Sequence, residues 1–304
     1  MTIEELQNTP VDSLGKKDLQ RLATHYDQMS AKYTAYEQAV KVMLNSIYGA
    51  FGNKWFHFFN LDIAESITLQ GQSAILYSEQ ILNKYVQDFW HKDTQIHKEL
   101  GIAKVLCACN SDAVIYIDTD SCYVQFDELY NTIVWEDPKN KPNIDTFILS
   151  LYDARLKVYI AKCMEKYATA TNTENFLLFE LESVAYGGIW LAKKKYIQDI
   201  AWDDKLPKDK RHKPLSKVKT IGFDTIQSST PQFARKKLTE ALQILFTEPS
   251  GPTAETLEKL VMFLKHSKKE FRLAPLDDIS FNRRTNNLEK YIIDDHAEFQ
   301  YGLK

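Results

Sequence analysis

The sequence predicts an α+β fold in which helices cover one face of an antiparallel sheet. Two long stretches near the N-terminus have helical spacing and few breakers. Two aspartates, Asp118 and Asp120, then sit between two apolar runs of strand type, the pattern of a β-hairpin. Beyond them a helical stretch gives way to strand-like segments and then to helices again. The class is read from that order of elements.

The first helix is expected from about Lys16 to Gly49. Its apolar positions are Leu19, Leu22, Tyr26, Met29, Tyr33, Tyr36, Val40, Met43 and Leu44, and Asp12 or Ser13 would be its N-cap. An aromatic loop, Phe51 to Phe59, leads to a second helix from about Asp62 to Trp90. Residues 104–127 switch to a strand-like pattern around the acidic turn, and Trp135 to Asn143 is a polar, proline-containing connection. Helical spacing resumes over about Thr146–Tyr167. Strand-like segments near 176–186 and 188–200 are separated by Gly187-Gly188. A charged loop covers Asp203 to Lys217, a short strand lies near 218–223, and the remainder reads as helical and then irregular.

At 304 residues the chain can bury a core in one large or two modest domains. A charged fraction of 26% and a hydrophobic fraction of 44% are ordinary for a soluble protein. The net charge of −3 excludes an overall basic surface for nucleic acid, so any such binding must come from local patches. The four cysteines form no C-x-x-C pair, and Cys107-Ala108-Cys109 reads as a piece of strand with small buried thiols. A reduced cytoplasmic compartment is expected rather than a disulfide framework. The N-terminus is acidic without an apolar signal core, and no run approaches the ~18–20 apolar residues of a membrane span.

Three segments carry chemistry. On the first helix Lys41, Asn45 and Tyr48 are spaced i, i+4, i+7 and share one face. A cation, an amide and a ring in line suit a nucleotide, the ammonium to phosphate and the ring and amide near sugar and base. Gly49 beside them allows close backbone approach. The same residues also suit a solvated face, with Gly49 as a helix C-cap.

The second segment is Tyr116-Ile117-Asp118-Thr119-Asp120-Ser121-Cys122-Tyr123-Val124. Two carboxylates on a tight turn are a rigid place to hold divalent cations. A D-x-D after an apolar strand also opens the haloacid-dehalogenase phosphatases. There the strand runs out into a loop, whereas here Cys122 to Phe126 reads as a returning strand. An exposed polar turn fits as well.

The third is Gly187-Gly188-Ile189-Trp190-Leu191-Ala192-Lys193-Lys194-Lys195-Tyr196. Three lysines in an otherwise apolar strand cannot all be buried, and alternation sends Lys193 and Lys195 to one face and Lys194 to the other. Lysines beside a cleft reach phosphates; lysines also protect a solvated sheet edge.

In that order, a lysine helix ending in N-S-x-Y-G, then Y-x-D-T-D-S, then K-K-K-Y resembles the family B DNA polymerases. The first resembles motif B of the fingers, the second motif C of the palm, and the third the lysine-rich motif near the palm–thumb junction. Phe179-Glu180-Leu181-Glu182-Ser183-Val184 resembles the palm glutamate segment, and Thr225-Ile226-Gln227-Ser228-Ser229-Thr230-Pro231 the primer-holding segment. The Gly-Gly-x-Trp lead-in and Ser-Ser-Thr-Pro look most like the branch found in T-even-type bacteriophages. The resemblance covers about residues 20–300.

It implies the second half of the fingers over 1–50, the palm over 51–230 and the start of the thumb over 231–304. It implies template-directed transfer of dNMP to a primer 3′-hydroxyl, with primer–template DNA and dNTP as partners. Two Mg²⁺ ions roughly 3.5–4 Å apart stabilise such a transition state, and these hard ions take carboxylate oxygens. Asp120 is then the direct metal ligand, Asp118 its essential neighbour at the metals, and Glu182 an auxiliary carboxylate. Lys41 contacts the triphosphate, Asn45 supports that face, and Tyr48 with Gly49 packs at the nascent base pair. Lys193, Lys194, Lys195 and Tyr196 hold DNA near the new pair, with Ser228, Ser229 and Thr230 on the primer backbone.

The family's motif A, D-x-x-S-L-Y-P-S, supplies the other metal-binding aspartate and is not found in these residues. The chain is therefore expected to be inactive alone. It would be one part of a split polymerase whose complementary chain carries motif A and an exonuclease domain, or the remnant of a broken gene. If viral, it would work in the host cytoplasm. A non-catalytic DNA-binding palm module is the alternative. A dehalogenase-type phosphatase would need later lysine and acidic motifs on a parallel sheet.

Overall fold

The computed structural model describes residues 2–206, 210–225, 227, 229–247 and 251–281, with backbone alone over 213–217. The chain divides into two compact units, one over Met1–Ala74 and the other beginning at Ile75.

In the first unit, helix α1 (Ile3–Gln7) opens on a capping box. The Thr2 hydroxyl accepts from the Glu5 backbone N–H, and Glu5 Oε2 accepts from the Thr2 N–H at 2.8 Å. Hydrophobic periodicity misses this helix because it is too short to show a period, yet the T-x-x-E spacing marks it. It packs against α2 (Lys16–Phe51), with Leu6 and Leu22 the buried side chains of the pair.

Helix α2 covers the expected range with different ends. Asp12 and Ser13 lie in a separate 3₁₀ turn, Val11–Ser13, and Gly15 is the N-cap. Gly49 is inside the helix and Gly52 caps it, so the C-cap reading of Gly49 is corrected. Most of the apolar stripe that predicts α2 stays exposed, with Tyr33, Tyr36, Val40 and Met43 all open. A loop bearing exposed Trp55 and Phe58 leads to α3 (Leu61–Lys84), whose Ile63 N–H donates to the Asn60 side chain at 3.1 Å.

The second unit holds the main core. The expected continuous helix to Trp90 ends instead in a π turn, Tyr85–Phe89, and a 3₁₀ turn, Trp90–Lys92. There follow α4 (Thr94–Glu99), β1 (Ile102–Val105), β2 (Val114–Asp118), β3 (Ser121–Val124), α5 (Asp127–Asn131), β4 (Ile133–Trp135), α6 (Ile144–Leu151) and α7 (Lys157–Ala170). A second π turn, Tyr152–Leu156, separates α6 from α7, so the helix read over 146–167 is also interrupted. Trp90, Phe147 and Leu151 centre the core, and Tyr85, Ile96, Leu129 and Trp135 pack around them. Asp93 ties the π turns together. It pairs with Arg155 at 2.6 Å and accepts from the Tyr85 hydroxyl.

Among the described residues the antiparallel strands, expected in one sheet, fall into three small ones. They are β1–β4, β2–β3, and β5–β6–β7, the last from β5 (Ser183–Ala192), β6 (Lys195–Asp203) and β7 (His212–Ile221). Gly187-Gly188 does not separate two strands but lies inside β5, opposite Asp199 and Gln198. A Cβ at Gly188 would stand 2.6 Å from the Trp190 ring, so the bare Cα leaves room for the indole over the strand. The break falls at Lys193-Lys194, which corrects the placement of the lysines within a strand. Residues 176–182 carry no strand, β7 starts inside the expected charged loop, and Cys107-Ala108-Cys109 lies in the loop between β1 and β2.

Helices α8 (Gln232–Leu245) and α9 (Ala254–Phe271) pack on each other, joined by Lys237 to Glu270 at 2.8 Å, and α10 (Leu276–Ile279) follows. Among the described residues no helix is long and apolar enough to cross a membrane.

Candidate active site

The acidic turn is a hairpin, as its sequence predicts. Strands β2 and β3 pair antiparallel, and Asp118 faces Ser121 across a two-residue turn, Thr119-Asp120. Thr119 adopts a φ of 58°, and the Asp120 N–H donates to the Asp118 carbonyl at 2.7 Å, the hydrogen-bond pattern of a γ-turn. A β-branched residue in that region is strained, a feature that concentrates at functional sites. The Ser121 hydroxyl donates to the same carbonyl at 3.1 Å.

Opposite this turn stands the turn between β5 and β6, with Lys194 likewise at a φ of 58°. Four rings hold the two hairpins together. Tyr123 of β3 stacks edge-on against Trp190 and Tyr196, and Tyr116 of β2 lies 5.6 Å from Tyr196. The Tyr123 hydroxyl donates to that of Tyr196 at 2.6 Å, and the Lys194 backbone N–H donates to the Tyr116 hydroxyl at 2.8 Å. Tyr196, expected at the DNA with the lysines, is instead buried among these rings, while Lys193, Lys194 and Lys195 are exposed above them.

The Lys194 ammonium reaches Asp118 Oδ1 at 2.8 Å and the Thr119 hydroxyl at 3.2 Å. That hydrogen bond holds the Asp118 carboxyl below the usual aspartate range against the opposing effect of burial, and Thr119 adds to it. The same bond raises the lysine. Glu182, just before β5, is exposed and pairs with Lys205 at 3.0 Å, which raises Lys205. Asp120 is exposed, and its charge acts on both Lys194 and Lys205. Two lysines thus link the three candidate carboxylates. Lys205 lies outside the sequence reading; its signal was its position in a charged loop, where a partner could not be foreseen.

These carboxylates do not make a complete metal site. Among the described residues no group of three or more His, Cys, Asp or Glu side chains is placed to hold an ion, and Asp118 already has an ammonium as its counter-ion. The donor set of Asp118 and Asp120 falls short of the octahedral oxygens that Mg²⁺ takes. Near this turn, burial pushes the Cys109 and Cys122 thiols up to about 11, so both stay protonated near neutrality.

In the first unit, Lys41 and Asn45 share one exposed face of α2, where they line a shallow apolar groove with Tyr33, Tyr36 and Leu44. Tyr48 is tied to α3, its hydroxyl 3.0 Å from that of Thr68. Around Gly49 there is open space, so nothing crowds the backbone. In the second unit Ser229 is exposed and Thr230 closes a turn onto Gln227 just before α8, whereas Ser228 lies outside the described residues.

Residues 15–134 match the sequence model of DNA polymerase family B. The chain is 28% identical over 218 residues to a DNA-directed DNA polymerase of Escherichia phage RB69, covering 68% of this chain and 22% of that protein. It is 25% identical over 260 residues to the DNA-directed DNA polymerase of Enterobacteria phage T4, covering 83% of this chain and 26% of that one. A stretch of 66 residues is 35% identical to the DNA polymerase alpha catalytic subunit of Dictyostelium discoideum, 22% of this chain and 4% of that subunit. The chain spans about a quarter of the length of the two phage polymerases. A family match over residues 15–134 and similarity over most of its length make the chain similar to the family B DNA polymerases of T-even phage type.

Proposed function

We propose that this chain contributes the second fingers helix, the palm and the start of the thumb to a DNA-directed DNA polymerase, which adds dNMP to a primer 3′-hydroxyl under template direction. The observation that carries this reading is the seating of the lysine turn on the acidic turn, with Lys194 on Asp118 at 2.8 Å. A carboxylate pair and a cluster of cations on two interlocked turns suit the end of a polyanionic strand.

In this reading Asp120 and Asp118 form the acidic half of the reaction centre, and Glu182 with Lys205 lies beside it. Lys193, Lys194 and Lys195 engage the backbone of primer or template, with Ser228, Ser229 and Thr230 on the primer. Lys41 takes the triphosphate of the incoming dNTP, Asn45 supports that face, and Tyr48 and Gly49 form the surface beside the new base pair. The Mg²⁺ ions of such a transfer would be shared with a carboxylate of a complementary chain that carries motif A, together with the exonuclease domain. Without that carboxylate this chain alone is inactive.

Primer extension tests both parts. The purified chain with dNTPs and Mg²⁺ is expected to give no extension, and addition of a polypeptide bearing D-x-x-S-L-Y-P-S, encoded by a neighbouring reading frame, to restore it. Asp120→Ala should abolish the restored activity. Extension by the chain alone that is lost in Asp120→Ala would overturn the need for a partner.

The ion pair at Asp118 also favours a second reading, a palm module that binds DNA without catalysis. Its signature is salt-dependent DNA binding that survives Asp120→Ala, with no extension even beside the complementary chain.

A further inference from the structure

Three residues with left-handed backbone meet at one point of the second unit. They are Thr119 in the acidic turn, Lys194 in the lysine turn and Gly222 at the end of β7. The Thr119 hydroxyl is 3.2 Å from the Lys194 ammonium. Gly222, at a φ of 67°, lies against the Lys194 peptide on the other side. A Cβ there would stand 2.0 Å from the Lys194 carbonyl oxygen, 3.1 Å from its carbon and 3.3 Å from Lys195 Cγ. No side chain fits that space, and the backbone angle alone already disfavours one.

The Lys194 peptide is therefore gripped from two directions. Its N–H donates to the Tyr116 hydroxyl at 2.8 Å, and its carbonyl abuts the bare Cα of Gly222. A non-glycine residue in the left-handed region is strained and persists only where its surroundings over-determine it. Tyr116 and Gly222 supply those surroundings. Neighbouring Ile221 pairs with Tyr196, so β7 delivers Gly222 to this point in fixed register. We propose that Gly222 is a positioning residue, which with the Tyr116 hydroxyl holds the turn at Lys194 so that its ammonium stays on Asp118. The functional importance of that hold rests on the reading of the two turns as one polymerase site.

The test uses amine chemistry, which needs neither DNA nor catalysis. The full chain is treated with limiting acetic anhydride across a pH series, and acylation of Lys194 is measured by peptide mass spectrometry against Lys193 and Lys195 in the same molecule. In the wild-type chain Lys194 is expected to react several-fold more slowly than Lys193, because its ammonium is bonded to Asp118. Gly222→Ala should bring the rate and the pH profile of Lys194 toward those of Lys193, as Asp118→Asn does, and the double variant should add nothing further. Unchanged Lys194 reactivity in a folded Gly222→Ala chain overturns the proposal. If Gly222→Ala does not fold, Tyr116→Phe decides, since it removes one hydroxyl and keeps the ring. Faster Lys194 acylation supports the grip, and an unchanged profile overturns it. These outcomes are independent of primer extension, whose failure would count against the polymerase reading alone.

Discussion

The hydroxyl of Tyr123 in β3 donates to the hydroxyl of Tyr196 in β6 at 2.6 Å, so two strands of separate sheets share a polar contact beneath a cluster of rings. A two-stranded ribbon such as β2–β3 is marginal by itself. Its stability must come from what covers it, and on this side that is the aromatic face of β5 and β6. Burial raises the Tyr196 hydroxyl well above its ordinary value, and the bond to Tyr123 adds to the effect.

Tyr123→Phe tests this docking. The ring contacts remain and one hydrogen bond between partly buried groups is lost, so the chain should lose about 1 kcal/mol. Urea unfolding followed by tryptophan fluorescence reads it through Trp190, which packs on Tyr123. A midpoint equal to that of the wild type would show that water replaces the bond at no net cost.

The Asp118–Lys194 pair makes stability depend on pH in a definite sense. A carboxylate depressed below its ordinary 3.8 contributes stability that is present above 3.8 and is lost as pH falls through the folded value. The lysine, raised above 10.5, contributes stability that is full below 10.5 and is lost as pH rises through the folded value. Asp118→Asn should therefore be less stable than the wild type near neutrality. Below 3.8 the gap should narrow and close. A gap that stays constant through the acid range would assign the cost of the substitution to packing.

Gly188→Ala probes why β5 runs straight through two glycines. The added methyl would meet the Trp190 ring at 2.6 Å and the Ile197 carbonyl at 3.0 Å, and both are held by neighbours in the sheet. Overpacking of this kind costs about 1–3 kcal/mol. Gly187→Ala, where nothing lies within 4 Å, should cost less than Gly188→Ala. Thermal melts of the two variants side by side give the comparison.

What the sequence made legible was local. Two apolar runs flank the acids between Val114 and Val124, and the strand-like return over Cys122 to Phe126 favoured a hairpin, while the breaker-free run from Lys16 read as a helix. The position of the next turn was not legible. Gly187-Gly188 carries a stronger turn signal than Lys193-Lys194, and the tertiary fit of the Trp190 ring overrode it. The π turns at Tyr85–Phe89 and Tyr152–Leu156 are bridged by Asp93, whose partners Tyr85 and Arg155 lie 8 and 62 residues away along the chain, a link that no local pattern shows. Pairings such as Lys194 with Asp118, separated by 76 residues, lie beyond any local pattern. The burial of Tyr196 beneath the turn was hidden for the same reason.

The exposed face of α2 gives the last prediction. Lys41 and Asn45 are exposed and make no ion pair or hydrogen bond with other described residues that fixes them in place, and the helix buries only Leu22. Substitution of such surface positions usually changes stability by no more than about 0.5 kcal/mol. Lys41→Ala and Asn45→Ala should therefore melt as the wild-type chain does. If the face receives a nucleotide, their effect appears only once extension is restored by the complementary chain. Loss of a charge-assisted contact to phosphate, on the order of 1.5–3 kcal/mol, should then raise the KM for dNTP in Lys41→Ala by roughly tenfold or more. Asn45→Ala, which removes a supporting amide, should have a smaller effect. An unchanged KM in Lys41→Ala would mean that this face is simply solvated, and the cation for the triphosphate would have to be sought elsewhere.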